Sequence, residues 1–195
     1  IKGNCDIPLT PDLSRVSSSL HFRLTVQRTV LKMSLTHREC TVTIHNKTSG
    51  FILRDPRVQL IKGNCATPLT PDLSPNESGT ALFKKTRDTA CGSVGVFTYT
   101  IVNKSTNQDN SRLAVMFSVP YNFNFYSNLY AVGEFSENKQ CDKDLYHEMY
   151  YDLNGNLVRG HAKGPSLIHK GSNVTIRASM SDSYQPVLKV DVCDN

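Results

Sequence analysis

VGVFTYTIV at residues 94–102 is the run whose reading decides the fold. Val94, Val96, Thr98 and Thr100 fall on one face, and Phe97, Tyr99 and Ile101 on the other. Alternation of β-branched and aromatic residues at period two predicts a strand. The polar loop NKSTNQDNS follows at 103–111 and leads into RLAVMFSVP at 112–120. NLYAVGEF (128–135), NVTIRASM (173–180) and VLKVDV (187–192) continue the series, and CTVTIH (40–45), closed by the turn residues NKTSG, precedes it. Short strands at this turn spacing predict a β-sandwich or barrel. Gly92 and Gly95 stand at the start of the central strand without a phosphate-binding context, so their smallness is assigned to sheet packing.

Helix signals are sparse. CDKDLYHEMYYDLNG offers Asp142 as N-cap, Leu145 and Met149 one turn apart, and Asn154-Gly155 as a stop, which predicts a helix near 142–151. Residues 15–36 admit either a helix or a strand. Leu20, Phe22, Leu24 and Val26 alternate, whereas Val26, Val30 and Met33 share a helical stripe. IKGNCDIPLTPDLS at 1–14 recurs as IKGNCATPLTPDLS at 61–74, identical at 12 of 14 positions. The flanking sequence does not repeat, so this is no solenoid. The expected organisation is a duplicated, poorly packed arm over 1–14, the ambiguous segment over 15–36, and one β-sandwich domain over 37–195.

With 195 residues the chain suits a single domain, and 22 Lys and Arg against 17 Asp and Glu give a net charge of +5. That balance mildly favours anionic surfaces and does not point to nucleic acid. The longest apolar run, Leu113–Phe117, is far short of the roughly 20 residues of a membrane span. The chain opens on Ile1 and shows no signal peptide; a secreted or soluble protein is expected. Its six cysteines, at 5, 40, 65, 91, 141 and 193, form no CxxC pair and are expected to be free, buried thiols. Sequons at Asn46, Asn76, Asn103 and Asn173 are about as frequent as chance gives and leave the compartment open.

No GxSxG, GxxxxGK[ST] or HExxH is present, and the six histidines are scattered, so no enzyme, metal or cofactor is expected. The aromatic residues do form a pattern. Of 16 Phe and Tyr, ten lie from Phe117 to Tyr151, nine of them in FSVPYNFNFYSNLY (117–130) and LYHEMYY (145–151). Pro120 and the asparagines make the centre of the first cluster a loop, and Tyr121, Phe123, Phe125 and Tyr126 cannot all be core residues there. On the helix, Tyr146 and Tyr150 share a face with Tyr151 beside them. Such rings suit the membrane–water interface, or a pocket that holds a quaternary ammonium by cation–π attraction. Closing one end of the sandwich core is the third reading.

At these residues the sequence resembles the actinoporins, the sea-anemone cytolysin family, and more particularly the actinoporin-like proteins found outside anemones, including in fish. LAVMFSVPYNFNFYSNLY is similar to the family's L-A-V-x-F-S-V-P-Y-D-Y-N-x-Y-S-N-W-W, and LYHEMYY to its M-Y-E-E-L-Y-Y. GSVGVFTY at 92–99 and the R-x-x-x-V-x-I-x-N spacing from Arg38 to Asn46 add to the match, which runs from about 38 to 193. The resemblance implies a mainly β protein, a compact β-sandwich flanked by two short helices, the N-terminal one detachable. It implies a phosphocholine site built from Val94, Ser118, Pro120, Tyr126, Tyr146, Tyr150 and Tyr151, with Phe125, Leu129 and Tyr130 facing the membrane. It further implies docking on sphingomyelin-rich membranes, self-association into oligomers and insertion of N-terminal helices as a cation-permeable pore.

The chain departs from the family pattern in ways that bear on function. It has no Trp, and Phe125, Leu129 and Tyr130 stand where the family carries Trp. Arg159-Gly160-His161 replaces the Arg-Gly-Asp of some members, and TVLK at 29–32 alone echoes the family's N-terminal helix. The same fold is shared with fungal lectins, so a peripheral lipid-headgroup or glycan binder without a pore is the competing expectation.

Overall fold

The computed structural model describes residues 37–151 and 156–195. The arm at 1–14, the segment at 15–36 and the Asn154-Gly155 stop therefore lie outside the described residues. Among the described residues, eleven strands and one helix follow in order: β1 (Glu39–Lys47), β2 (Phe51–Lys62), β3 (Asn64–Thr67), β4 (Ser78–Lys84), β5 (Ser93–Asn103), β6 (Asp109–Val119), β7 (Leu129–Phe135), α1 (Lys143–Tyr151), β8 (Leu157–His161), β9 (Leu167–Lys170), β10 (Val174–Met180) and β11 (Val187–Asp194). They form a six-stranded sheet, ordered β3-β4-β1-β11-β10-β9, and a five-stranded sheet, β2-β5-β6-β7-β8. The protein is mainly β, as the alternation predicts. Among the described residues, only β1 and β11 pair in parallel.

Two apolar layers follow from the period-two pattern. Inward residues of both sheets, among them Val42, Ile44, Phe83, Phe97, Tyr99, Phe117, Tyr130 and Val190, make the sandwich core. Phe83 and Phe117 stack there with centroids 4.8 Å apart. The outer face of the five-stranded sheet carries Val96, Ala114, Met116 and Ala131, and α1 covers it with Leu145 and Met149. This double cover explains why β7 is buried along its whole length.

The glycines at the head of β5 are set by packing. A Cβ on Gly92 would lie 2.1 Å from the carbonyl oxygen of Val119, and one on Gly95 would lie 2.8 Å from that of Gln59. The second repeat copy is woven into the fold: it contains β3, its Leu69 and Leu73 are buried, and the Thr70 carbonyl accepts the Tyr99 hydroxyl at 2.6 Å. Far from the aromatic loop, the half-ends of both sheets are clasped by Glu134. Its carboxylate accepts from Ser111 Oγ at 2.6 Å, Asn173 Nδ2 at 2.6 Å and the Asn173 amide at 3.2 Å. The five described cysteines are free, but the expectation that they are buried holds only for Cys40; Cys65 sits on the exposed edge strand β3. Among the described residues, no helix is long and apolar enough to cross a membrane.

Candidate functional site

The site begins with the helix. Asp142 caps it, with Oδ1 accepting from the Leu145 amide at 2.9 Å. At the other end the Arg159 guanidinium donates to the Tyr150 carbonyl, placing a cation at the negative pole of the helix. Arg159-Gly160-His161 is thereby strand β8, with Gly160 paired to Tyr130. Leu145 and Met149 fasten the inner stripe, and the tyrosines rise along the adjoining face. Tyr146 is almost wholly buried and its hydroxyl meets the Ser118 side chain. Burial, with smaller contributions from Tyr150 and Tyr151, pushes the Tyr146 phenol well above its ordinary pKa, so it stays a neutral donor. The Tyr150 ring lies 5.6 Å from Tyr146, tilted by 31°, and Tyr151 meets Tyr150 at 4.8 Å and 65°. His147 stacks on Tyr151 at 5.8 Å.

Under this ladder the sheet register supplies the next residues. Val94 on β5 and Ser118 on β6 are direct cross-strand partners. Val94 and Tyr150 pack against one apolar cluster, the cluster that contains Tyr146. Val94, Ser118, Tyr146 and Tyr150 therefore converge. Pro120 ends β6 two residues beyond Ser118 and opens the aromatic loop at the same end of the sheet. Tyr126 stands on that loop, 63% exposed, and Tyr151 is 66% exposed at the helix end.

Inside the loop the Tyr126 amide donates to the Asn122 carbonyl at 3.1 Å, and the Asn124 amide to Asn122 Oδ1 at 3.0 Å. This tight turn points Phe125 outward at 80% exposure. Phe123 turns inward instead, edge-on to Tyr184 at 4.7 Å. Arg38, buried just before β1, holds both. Its Nε donates to the carbonyls of Pro120 and Tyr121 at 3.0 and 3.1 Å. Its guanidinium lies over the rings of Tyr184, Phe123 and Tyr121 at 4.4, 5.1 and 5.3 Å. Burial lowers the Arg38 pKa while the two tyrosines oppose that shift. In the sequence Arg38 stands only at the start of a motif, and its one signal is a cation directly before an alternating strand.

Two residues expected to face the membrane do not. Leu129 and Tyr130 open β7, so they alternate across a sheet that is covered on both sides. Leu129 packs beneath α1, and Tyr130 enters the sandwich core at 1% exposure. Of the three, Phe125 alone reaches the surface. Among the described residues no cluster of His, Cys, Asp and Glu is arranged to hold a metal.

A two-sheet sandwich bearing a helix-borne tyrosine ladder beside an exposed aromatic loop is the class that fold and site define. The chain belongs to the sea anemone cytotoxic protein family, whose pattern matches residues 22–193. It is 31% identical over 127 residues to DELTA-stichotoxin-Hcr4b of Radianthus crispa, covering 64% of this chain and 66% of that protein. It is 32% identical over 112 residues to deep-sea actinoporin Cjtox I of Cribrinopsis japonica, covering 56% and 46%. Cytolysin tenebrosin-B of Actinia tenebrosa is 34% identical over 103 residues, covering 53% and 44%. The aligned parts thus span from 44% to 66% of these relatives' lengths. Among solved structures, the lipid binding protein Nakanori superposes with a TM-score of 0.63 at 14% identity, over 88% of this chain and 79% of that one, and so shares the fold.

Proposed function

We propose that this chain is a membrane-binding cytolysin that recognises phosphocholine headgroups, sphingomyelin among them, and self-associates on a target cell membrane. Its N-terminal segment then inserts as a cation-permeable pore. The observation that carries the reading is the convergence of Tyr146 and Tyr150 with the Val94–Ser118 pair, at the sheet end where Phe125, Tyr126 and Tyr151 are exposed. Tyr150 and Tyr151 present faces about 65° apart, a corner suited to a trimethylammonium group. Each good cation–π contact contributes about 0.5–2 kcal/mol. The phenols and the Ser118 hydroxyl donate to phosphate oxygens, and Pro120 and Tyr126 close the loop side. Phe125 supplies the apolar contact with the bilayer. The names of the relatives, a cytolysin and an actinoporin, agree with this reading. No covalent step, metal or cofactor is needed.

The burial of Leu129 and Tyr130 favours a second reading, a peripheral headgroup binder that docks shallowly and makes no pore. One vesicle experiment separates the two. Phosphatidylcholine vesicles, with and without sphingomyelin, are scored for co-sedimentation of the protein and for release of a trapped dye. Tyr150→Ala and Tyr126→Ala are run beside the parent chain. Binding with release, both lost in the variants, is the expected result. Binding without release selects the peripheral reading, and absence of binding to either vesicle overturns the headgroup site.

A further inference from the structure

The outer face of the six-stranded sheet carries a second concentration of chemistry, opposite the sheet that α1 covers. Alternation turns Ile44, Val190 and Val192 into the core, which leaves His45, Lys47, Lys189 and Asp191 on the outside. The register sets His45 and Arg177 directly across from Asp191 on its two sides. These residues line an open cleft of about 470 Å³, with Ser166, Ser179 and the half-exposed Ile168 on its margin.

The charges in this cleft do not balance. Among the described residues Asp191 is the only acid lining it, and both of its oxygens are engaged. Lys47 Nζ sits 2.7 Å from one and His45 Nδ1 3.2 Å from the other. Arg177 and Lys189 make no ion pair among the described residues, and Arg177 is close enough to oppose the charge on Lys47. Like charges gathered on one sheet face repel, so an arrangement of this kind gains from an anion. The guanidinium fork of Arg177 suits an oxyanion bidentately, and Lys189 adds a point charge.

We infer that this cleft is a binding site for a sulfated saccharide, whose sulfate lies between Arg177 and Lys189 and whose ring rests on Ile168 and the serine hydroxyls. The volume falls in the range of small-molecule sites, roughly 300–1,000 Å³, and a bare sulfate or phosphate ion would leave most of it empty. Among the described residues no aromatic ring lines the cleft to stack a nucleobase. Lipid headgroups reached by the tyrosine ladder lie against the other sheet, so the two sites are independent.

The test is isothermal titration of the full chain with a sulfated heparin disaccharide, its desulfated counterpart and sodium sulfate, with co-sedimentation on phosphatidylserine vesicles as a further arm. The double variant Arg177→Gln/Lys189→Gln is compared with a charge-matched control, Arg87→Gln/Lys104→Gln, changed at exposed positions elsewhere. Thermal unfolding of both confirms the fold. The expected result is saturable binding of the sulfated disaccharide alone, weakened about tenfold or more in the first variant and little changed in the control. Equal loss in both variants reduces the effect to net charge and overturns the site. Equal affinity for sodium sulfate or for the desulfated sugar overturns the saccharide assignment. Phosphatidylserine binding abolished by the first variant transfers the cleft to a lipid surface.

Discussion

Phe125 and Tyr130 stand in one aromatic run, yet the first is 80% exposed and the second 1%. Truncating them separates docking from folding. Phe125→Ala removes no packed contact and is expected to leave stability within about 0.5 kcal/mol. It should weaken vesicle binding by about tenfold, part of what burying a phenylalanine is worth. Tyr130→Ala empties a core position and should cost about 3–5 kcal/mol in urea unfolding. Equal stability loss in the two variants would contradict the division of the run. The sequence already held the clue for Tyr130. It belongs to NLYAVGEF, whose alternation predicts a strand, and a strand under a helix buries both faces. Similarity to membrane-facing positions of a family pointed the other way, and local periodicity was the better guide. Tyr146 and Tyr150 were legible because helical spacing alone puts them on one face; that Tyr146 is buried against Ser118 was not, since sheet register decides it.

At the scale of elements, the loop from Pro120 to Asn128 owes its shape to a residue far from it in sequence. Arg38 spends its donors on the carbonyls of Pro120 and Tyr121 and fills the space between three rings. Arg38→Met keeps much of the bulk but takes the donors from two half-buried carbonyls, at a cost of about 1–3 kcal/mol. Vesicle binding should fall as well, because the turn that presents Phe125 and Tyr126 loses its anchor, while the Tyr146–Tyr150 ladder on α1 remains. A variant that is destabilised yet binds vesicles like the parent would show that the loop holds its shape without Arg38. Strands β1, β5, β7, β10 and β11, with their period-two patterning, and β6, a short apolar run between turn residues, could be read from sequence. So could α1, from its Asp142 cap. β2 could not, because Asp55-Pro56 interrupts it: Asp55 takes a positive φ of 51° and the ladder shifts register between Arg54 and Arg57. As an edge strand it also exposes Arg54, Asp55, Arg57 and Val58, which hides the alternation.

For the molecule as a whole, stability is expected to respond to acid through His169. This residue of β9 is 6% exposed, and burial holds its pKa below the ordinary 6.5, with Glu134 acting in the opposite sense. A depressed histidine pKa means that the unfolded chain takes up a proton before the folded one does. The neutral imidazole therefore contributes its full stabilisation above about pH 6.5, and that contribution falls as the pH drops below it toward the folded-state value. The loss cannot exceed about 1.4 kcal/mol per pH unit for one proton. Urea unfolding of the parent chain and of His169→Asn between pH 7.5 and pH 5 reads this directly. The variant should be less stable at pH 7.5, since a packed ring is lost, and the gap should narrow as the solution is acidified. A gap of constant size would mean that His169 titrates alike in both states and that acid sensitivity originates elsewhere in the sandwich.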